Sequence, residues 1–276
     1  MLKNEFDVYY QTGDYQKIAS YKVDNAVILA AGFASRFAPL SYTTPKGLLK
    51  VKGEILIERQ IRQLMEAGVP EIYVVVGYKK EMFYYLAEKY GVHIVENPDY
   101  ATRNNHSSIY AVREILGNTY ICSADNYFME NVFDSYVYEP YYSAVYVNGK
   151  TDEYCLSTGF SGRINHVQIG GSNAWCMMGH VYWDKKFSKH FVDLLEAEYD
   201  LPETTDMYWE TIYIHHLDTL TLYIKKYPDG IIREFDNLDE LCLFDTSYIP
   251  YRDSLKSKDA SASEVSQTPE TDTSHD

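Results

Sequence analysis

Residues 26 to 51 constrain the fold of this chain most, because a buried strand leads directly into a small-residue turn followed by two cations. The apolar run from Ala26 to Ala31 predicts a buried parallel strand. Gly32 then lets the backbone approach a ligand with no side chain in the way. Beyond the turn, backbone N–H groups can point at phosphate oxygens while Arg36 and Lys46 supply positive charge. The stretch therefore predicts a site for a nucleoside triphosphate.

The end of this strand and the turn after it predict the parts of that nucleotide site. The residues there leave room for a base and a ribose, and they are Leu29, Ala30, Ala31 and Gly32. Arg36 and Lys46 then divide the triphosphate between them as the two catalytic cations. The alternative is an ordinary strand-to-helix turn of an α/β domain, which requires neither the arginine nor the Pro-Lys pair.

Amphipathic segments alternate along the first half of the chain in the manner of a β–α repeat. We expect buried strands at residues 26–31, 72–76, 92–95 and 120–124, and helices at 55–68, 80–90 and 106–116. Beyond residue 140 a hairpin pattern at 154–169, with glycines as turn signals, precedes helices at 185–199 and 206–217 and a strand at 221–226. We therefore expect the second half to make the sheet mixed rather than purely parallel.

Composition and charge narrow the class of protein. A chain of 276 residues with 46% hydrophobic residues can bury one large core. The net charge of −15 argues against nucleic acid as a partner, since phosphate backbones are bound by basic surfaces. No apolar run is long enough to span a bilayer and the N-terminus is too polar for a signal peptide, so we expect a cytoplasmic protein without membrane insertion. The four scattered cysteines predict buried thiols.

A second chemical feature is Asp125, which follows the hydrophobic strand predicted at 120–124. Open α/β sheets bind their ligands at the carboxyl ends of strands. Mg²⁺ prefers one or two carboxylates together with phosphate oxygens and water, so a strand-end aspartate facing a triphosphate predicts a magnesium ligand. The alternative is an aspartate that caps a turn.

Two sets of residues give this chain a family resemblance. Leu29 to Arg36, followed by Pro45 and Lys46, resemble the Leu-Ala-Ala-Gly-x-Gly-x-Arg and Pro-Lys signature of the sugar-nucleotidyltransferase superfamily. Together with the runs 76–78, 104–110, 124–127 and 206–210, they look like the bacterial CTP:phosphocholine cytidylyltransferases over most of the chain. The resemblance implies an α/β fold, Rossmann-like and of the GT-A-like nucleotidyltransferase kind. Such a fold has a mixed, mainly parallel sheet flanked by helices in a single domain.

The resemblance also implies an activity and further site residues. The reaction would join CTP to phosphocholine, giving CDP-choline and pyrophosphate. The family's strand-end aspartate, which binds Mg²⁺, corresponds to Asp125, and its acid after the Tyr-Trp pair, which holds the metal or the cationic end of the substrate, corresponds to Glu210. The aromatic rings that enclose choline correspond to Tyr154 and Tyr208. For cytosine, the candidates are backbone groups near Ala30 and Gly77 and the side chains of Asn105, Ser107 and Ser108.

Three departures from the family pattern bear on these expectations. Ala34 replaces the second glycine of the signature, where a methyl group is tolerable if φ is negative. Tyr154 stands where the family has Trp, which binds quaternary ammonium best, and Glu210 stands where it has Asp. From the residues alone, Tyr154 and Tyr208 could instead be half-buried packing, and Asp206 could cap a helix.

Other functions stay open from the sequence. A sugar-1-phosphate nucleotidyltransferase shares the first motif, and a cytidylyltransferase for 2-aminoethylphosphonate is closer still. A nucleotide-sensing domain without activity would lack Lys46 or Asp125, and both are present.

The chain divides into three parts by composition. We expect residues 1–22 to form an extension that packs on the domain through its aromatic residues, and residues 23–250 to form the nucleotidyltransferase domain. Residues 251–276 lose aliphatic and aromatic content, which predicts a disordered acidic tail.

Overall fold

The computed structural model describes residues 1–255, and a seven-stranded sheet forms its centre. The strands are β1 (Asn25–Ala30), β2 (Lys50–Val51), β3 (Glu54–Ile55), β4 (Ile72–Val76), β5 (His93–Glu96), β6 (Thr119–Ser123), β7 (Tyr127–Phe128), β8 (Tyr141–Thr158), β9 (Ile164–Trp183), β10 (Tyr223–Tyr227) and β11 (Ile232–Arg233). The α-helices are α1 (Lys3–Thr12), α2 (Leu56–Glu66), α3 (Tyr85–Tyr90), α4 (His106–Ala111), α5 (Lys185–Glu198), α6 (Trp209–His215) and α7 (Leu238–Phe244).

The main sheet is mixed and mainly parallel, which confirms the expected fold class. Its strands lie in the order β10-β8-β9-β6-β1-β4-β5. Strands β5, β4, β1 and β6 run parallel, β9 is antiparallel to both β6 and β8, and β10 is parallel to β8. Because β4 and β6 lie on opposite sides of β1, the chain leaves a crevice at the carboxyl end of β1, where α/β sheets bind ligands.

Side chains of the central strand β1 alternate between two cores. Ala26 and Ile28 pack in one core with residues of α2 and α3, whereas Val27 packs in the other core with residues of α4, α5 and α6. Successive side chains of a strand point to opposite faces, so a strand covered by helices on both faces is apolar throughout. This is why the run at 26–31 predicted the strand correctly.

A third, smaller core lies beside the crevice. It joins the segment after β1 to the C-terminal helix α7, because Phe37, Phe235 and Leu241 pack in it together. The segments that flank Phe37 and Phe235 are therefore held close to each other at the mouth of the crevice.

The N-terminal residues form helix α1, which packs on the domain through one side. The Phe6 side chain is buried, with its ring centroid 5.2 Å from that of Tyr21 and 5.4 Å from that of Tyr138. The Tyr10 hydroxyl donates a hydrogen bond to Asp134. Val8, on the other side of α1, is exposed.

A helical segment runs past residue 250, where the C-terminal tail is expected to begin. Residues 249–255 are helical, so ordered backbone continues into the segment predicted as a tail. The remainder of that predicted tail, residues 256–276, lies outside the described residues. Within residues 1–255 no helix has the length and apolar character needed to cross a membrane.

Candidate active site

A cavity of about 970 Å³ opens at the carboxyl ends of β1 and β6. A cavity of this size can hold a nucleotide with a second small substrate. All predicted site residues except Gly77 line it, and these are Leu29, Ala30, Ala31, Gly32, Arg36, Lys46, Asn105, Ser107, Ser108, Asp125, Tyr154, Tyr208 and Glu210. The fold therefore brings together residues that are up to 181 positions apart, from Leu29 to Glu210.

Gly77 is buried beneath the cavity wall instead of lining it. A Cβ atom at Gly77 would lie 2.5 Å from the ring of Tyr100 and 2.9 Å from the carbonyl oxygen of Ala31. The glycine therefore lets the Tyr100 ring, which does line the cavity, lie against the end of β4.

The turn after β1 adopts a left-handed backbone at Ala34, with φ +49° and ψ +48°. From the sequence, the methyl group of Ala34 is expected to be tolerable if φ is negative. The observed φ is positive, so this condition is not met. Left-handed backbone costs a residue with a Cβ about 1–2 kcal/mol relative to the usual conformations. The turn keeps this geometry because the next residues form a 3₁₀ turn (Ser35–Phe37) whose Phe37 is buried in the third core.

The two predicted cations both pair with acids at the cavity. Arg36 is mostly exposed and forms an ion pair of 2.7 Å with Asp236. Lys46 is more enclosed, and its Nζ lies 2.7 Å from Oδ2 of Asp125 and 4.9 Å from the centroid of the Phe37 ring. Lys46 and Asp125 are thus in direct contact across the crevice.

Asp125 also carries an unsatisfied oxygen. Its Oδ1 is buried and has no hydrogen-bond partner among the described residues. A buried carboxylate oxygen without a partner is costly, so it is suited to receive a ligand that the protein itself does not supply.

Two acids that the sequence analysis missed, Glu234 and Asp236, complete this end of the cavity. They follow the short strand β11 and flank Phe235, which is buried in the third core. Alternation along an extended segment explains why both acids face the cavity while the phenylalanine faces inward. Desolvation, and after it the negative charge of Asp125, raises the pKa of Glu234. The acid-Phe-acid pattern after a short apolar run is the signal that could have found them.

The serines predicted to read cytosine are held by another residue that the sequence analysis missed. The Nδ2 atom of the buried Asn97 donates to Oγ of Ser107 at 2.8 Å and to Oγ of Ser108 at 3.1 Å. Asn97 follows β5 directly and lines the cavity, so its strand-end position was the signal. A role of Ser107 and Ser108 in base recognition stays a prediction.

Glu210 lies in the first turn of α6 with its carboxylate at the cavity. Asn105 Nδ2 donates to Oε2 at 3.2 Å, and the hydroxyl of the buried Tyr142 donates to Oε1 at 3.3 Å. Both donors are neutral, and within residues 1–255 no lysine or arginine forms an ion pair with this carboxylate. Desolvation raises the pKa of Glu210 to about 7. The site therefore contains a poorly hydrated carboxylate that lacks a countercharge.

Aromatic rings surround the same end of the cavity. Tyr154 is half-buried and Tyr208 is 47% exposed, and both line the cavity. Tyr142 stacks on Trp209, with the centroids 5.7 Å apart and the ring planes at 13°. Helix α6 begins only at Trp209, with extended backbone at Tyr208. The expectation that Asp206 caps this helix is therefore wrong, and residue 206 lines the cavity instead.

The acidic residues do not form a complete protein-only metal centre. Among residues 1–255 no three His, Cys, Asp or Glu side chains meet in a group that could hold a metal ion by themselves. One of the chain's histidines, His216, contacts Glu198 through Nε2 at 2.7 Å.

Comparison with known proteins gives consistent matches. The model of the MobA-like NTP transferase domain matches residues 26–151. The choline-phosphate cytidylyltransferase of Streptococcus pneumoniae is 35% identical over 215 residues, which are 78% of this chain and 94% of that protein. The 2-aminoethylphosphonate cytidylyltransferase of Lancefieldella rimae is 37% identical over 234 residues, which are 82% of this chain and 93% of that protein.

Solved structures show the same relationship. The structure of the CTP:phosphocholine cytidylyltransferase of Streptococcus pneumoniae matches with a TM-score of 0.76 and covers 79% of this chain and 96% of that one. An inositol-1-phosphate CTP transferase from T. maritima, 17% identical, matches with a TM-score of 0.63 and supports the fold alone. Sequence identity, coverage and fold agree, and the chain belongs to the family of bacterial CTP:phosphocholine cytidylyltransferases.

Proposed function

We propose that this protein is a cytidylyltransferase that couples CTP and phosphocholine to CDP-choline and pyrophosphate. The named activity of the Streptococcus pneumoniae relative supports this assignment. The observation that carries it is Glu210, a desolvated carboxylate held by two neutral donors at one end of the cavity. A cationic head group supplies the countercharge that the described residues do not, and the Tyr154 and Tyr208 rings offer π faces to it.

Another part of the cavity suits the phosphates. Arg36 and Lys46 lie on the segment that follows β1 and supply the two positive charges there. We propose that Leu29 to Gly32, with the wall formed by Asn97 and the two serines it holds, receive the nucleoside. In this arrangement the triphosphate would extend from the nucleoside towards Arg36 and Lys46.

The described residues fit a Mg²⁺ ion at the phosphate end. The partnerless Oδ1 of Asp125 and the neighbouring carboxylate of Glu234 provide the hard oxygen ligands that Mg²⁺ prefers. When bound, the ion would offset phosphate charge during transfer. We assign Glu210 to the amine, since its contacts are Asn105 and Tyr142, and its predicted contact with the metal stays a prediction.

The chemistry requires no general base. The second pKa of a phosphomonoester is about 6, so the phosphocholine phosphate is already anionic near neutral pH. One of its oxygens attacks the α-phosphorus of CTP in line, the new P–O bond forms, and the bond to the β-phosphate oxygen breaks. Pyrophosphate leaves with the electron pair of that bond, and Arg36 and Lys46 stabilise its charge. The protein therefore contributes mainly positioning and electrostatic stabilisation.

A substrate panel followed by pyrophosphate release tests this function. CTP, UTP, dTTP and ATP are each combined with phosphocholine, 2-aminoethylphosphonate and glucose-1-phosphate. We expect the highest kcat/KM for CTP with phosphocholine. The highest value for glucose-1-phosphate with any nucleotide would overturn the proposal in favour of a sugar nucleotidyltransferase.

A second candidate function is cytidylyl transfer to 2-aminoethylphosphonate. Two observations favour it: the 37% identity to the Lancefieldella rimae protein, and the smaller ring of Tyr154 where a Trp is expected for quaternary ammonium. The panel separates the two functions directly. If the aminophosphonate is preferred and Tyr154→Trp shifts the preference towards phosphocholine, the second function is the correct one.

A cytoplasmic location remains the expectation from the sequence.

A further inference from the structure

Asn105 connects two elements that meet at the amine end of the cavity. It directly precedes α4, and its Oδ1 accepts a hydrogen bond of 2.8 Å from the backbone N–H of Trp209, the first residue of α6. A backbone N–H can only donate, so the oxygen of the Asn105 amide must face α6. The amide nitrogen therefore faces the Glu210 carboxylate, to which it donates at 3.2 Å. The chemistry of the two partners determines the orientation of this side chain.

The Glu210 carboxylate has one such donor on each oxygen. Asn105 holds Oε2 from the start of α4, and the Tyr142 hydroxyl holds Oε1 from strand β8. Tyr142 is itself fixed, since it is buried and stacked on Trp209. A glutamate has three rotatable side-chain bonds, and two donors from separate elements restrict it to one arrangement at the cavity wall.

Helix α6 needs the same asparagine at its N-terminus. The first N–H groups of a helix have no hydrogen-bond partner within the helix. The side chain of Tyr208, the N-cap residue, accepts no hydrogen bond from them. Oδ1 of Asn105 supplies that acceptor from another element, 104 positions earlier in the chain. One side chain thus both caps α6 and holds the acid in the first turn of α6.

We propose that Asn105 is a positioning residue for the cationic substrate: it fixes the Glu210 carboxylate at the cavity wall rather than reading the cytosine base. This inference rests on the proposed function, in which Glu210 binds the amine. Both polar atoms of the Asn105 side chain are engaged on the amine side of the cavity. The nucleoside side is provided by Asn97 with Ser107 and Ser108.

A double-mutant cycle tests the proposal through substrate constants. Wild type, Asn105→Ala, Glu210→Gln and the double variant are compared for the KM of the amine that wild type uses and for the KM of CTP. We expect Asn105→Ala to raise the amine KM about tenfold, because it removes a hydrogen bond to a charged group. The KM of CTP should stay within about twofold of the wild-type value. In the Glu210→Gln background the same change should have almost no further effect on the amine KM.

The cycle also separates positioning from a structural role. Loss of the α6 cap lowers the melting temperature in both backgrounds alike, whereas the KM effect depends on the Glu210 charge. Tyr142→Phe, which removes the other donor but keeps the ring, should raise the amine KM in the same direction. A raised KM for CTP with an unchanged amine KM would overturn the inference in favour of base reading. Equal effects of Asn105→Ala in both backgrounds would overturn it in favour of capping alone.

The same measurements distinguish failure of this inference from failure of the proposed function. If wild type turns over no cationic amine, the proposed function is wrong and the role of Asn105 falls with it. If wild type uses the amine and the two substitutions act independently, only the role of Asn105 is wrong.

Discussion

Asp125 is the single residue on which the proposed phosphate site depends most. Its carboxylate contacts Lys46, and one of its oxygens is buried with no hydrogen-bond partner among residues 1–255. Desolvation and, as the second cause, the negative charge of Asp125 raise the pKa of Glu234. Asp125→Asn keeps the shape but removes the formal charge that would bind Mg²⁺. We expect it to lower kcat at least about 100-fold while the melting temperature stays close to that of wild type, measured by pyrophosphate release and thermal unfolding.

Asp193 provides the matched control for this substitution. It is exposed on α5, pairs with Lys189 and does not line the cavity, so Asp193→Asn should leave kcat unchanged. Near-normal turnover in Asp125→Asn would contradict the assignment of Mg²⁺ to this carboxylate.

Ala34 carries backbone strain in the turn that positions Arg36. Its φ of +49° is unfavourable for a residue with a Cβ and natural for glycine. We expect Ala34→Gly to raise the free energy of unfolding by up to about 1 kcal/mol, measured by urea denaturation. Ala87→Gly, in the exposed part of α3, should have the opposite effect by a similar amount. Destabilisation by both substitutions would show that the turn is not strained at Ala34.

At the scale of elements, the central strands are the part of the fold that the sequence predicted best. Strands β1, β4 and β6 begin and end within one residue of their predicted bounds, because strands buried on both faces are continuous apolar runs. The signature after β1 and the strand-end position of Asp125 also predicted residues that line the cavity.

Elements whose form depends on distant contacts were predicted less well. The hairpin expected at 154–169 is part of a much longer pair, β8 and β9, of 18 and 20 residues. The parts of β8 and β9 that pair with β10 and β6 are buried on both faces, so they alternate little in polarity. Helix α6 starts at Trp209 rather than at residue 206 because Asn105, from another element, supplies its cap. No local pattern could reveal that partner.

Helix α1 contributes to stability and not to the site. None of its residues lines the cavity, and Phe6 is its one buried side chain. We expect Phe6→Ala to lower the free energy of unfolding by up to about 3 kcal/mol and to leave both KM values unchanged. Val8→Ala, at an exposed position of the same helix, should change stability by less than about 0.5 kcal/mol. A large rise in either KM for Phe6→Ala would instead connect α1 to catalysis.

At the scale of the whole molecule, desolvation of an acid in the cavity makes the free energy of unfolding depend on pH. Desolvation raises the pKa of Glu210 from 4.5 to about 7. Between these values the folded state holds a proton that the unfolded state has released, so the free energy of unfolding falls as pH rises through this window. Relative to Glu210→Gln, wild type should lose up to about 2 kcal/mol between about pH 5.5 and about pH 8.

Urea denaturation of both proteins across this pH range measures the effect. The comparison cancels the contributions of His106 and His180, whose pKa values burial lowers, because both histidines are present in the two proteins. Parallel curves of unfolding free energy against pH would contradict the raised pKa of Glu210.

In the proposed function, charge recognition by Glu210 is the property that makes this cavity a site for a phosphorylated amine. The most direct measurement compares kcat/KM for phosphocholine with kcat/KM for its carbon isostere, in which a tert-butyl group replaces the trimethylammonium group. Removing one partner of a buried charge pair costs about 2–5 kcal/mol, so wild type should prefer phosphocholine at least about 30-fold. In Glu210→Gln that preference should largely disappear, while the KM of CTP stays unchanged. An equal preference in the two proteins would contradict the account.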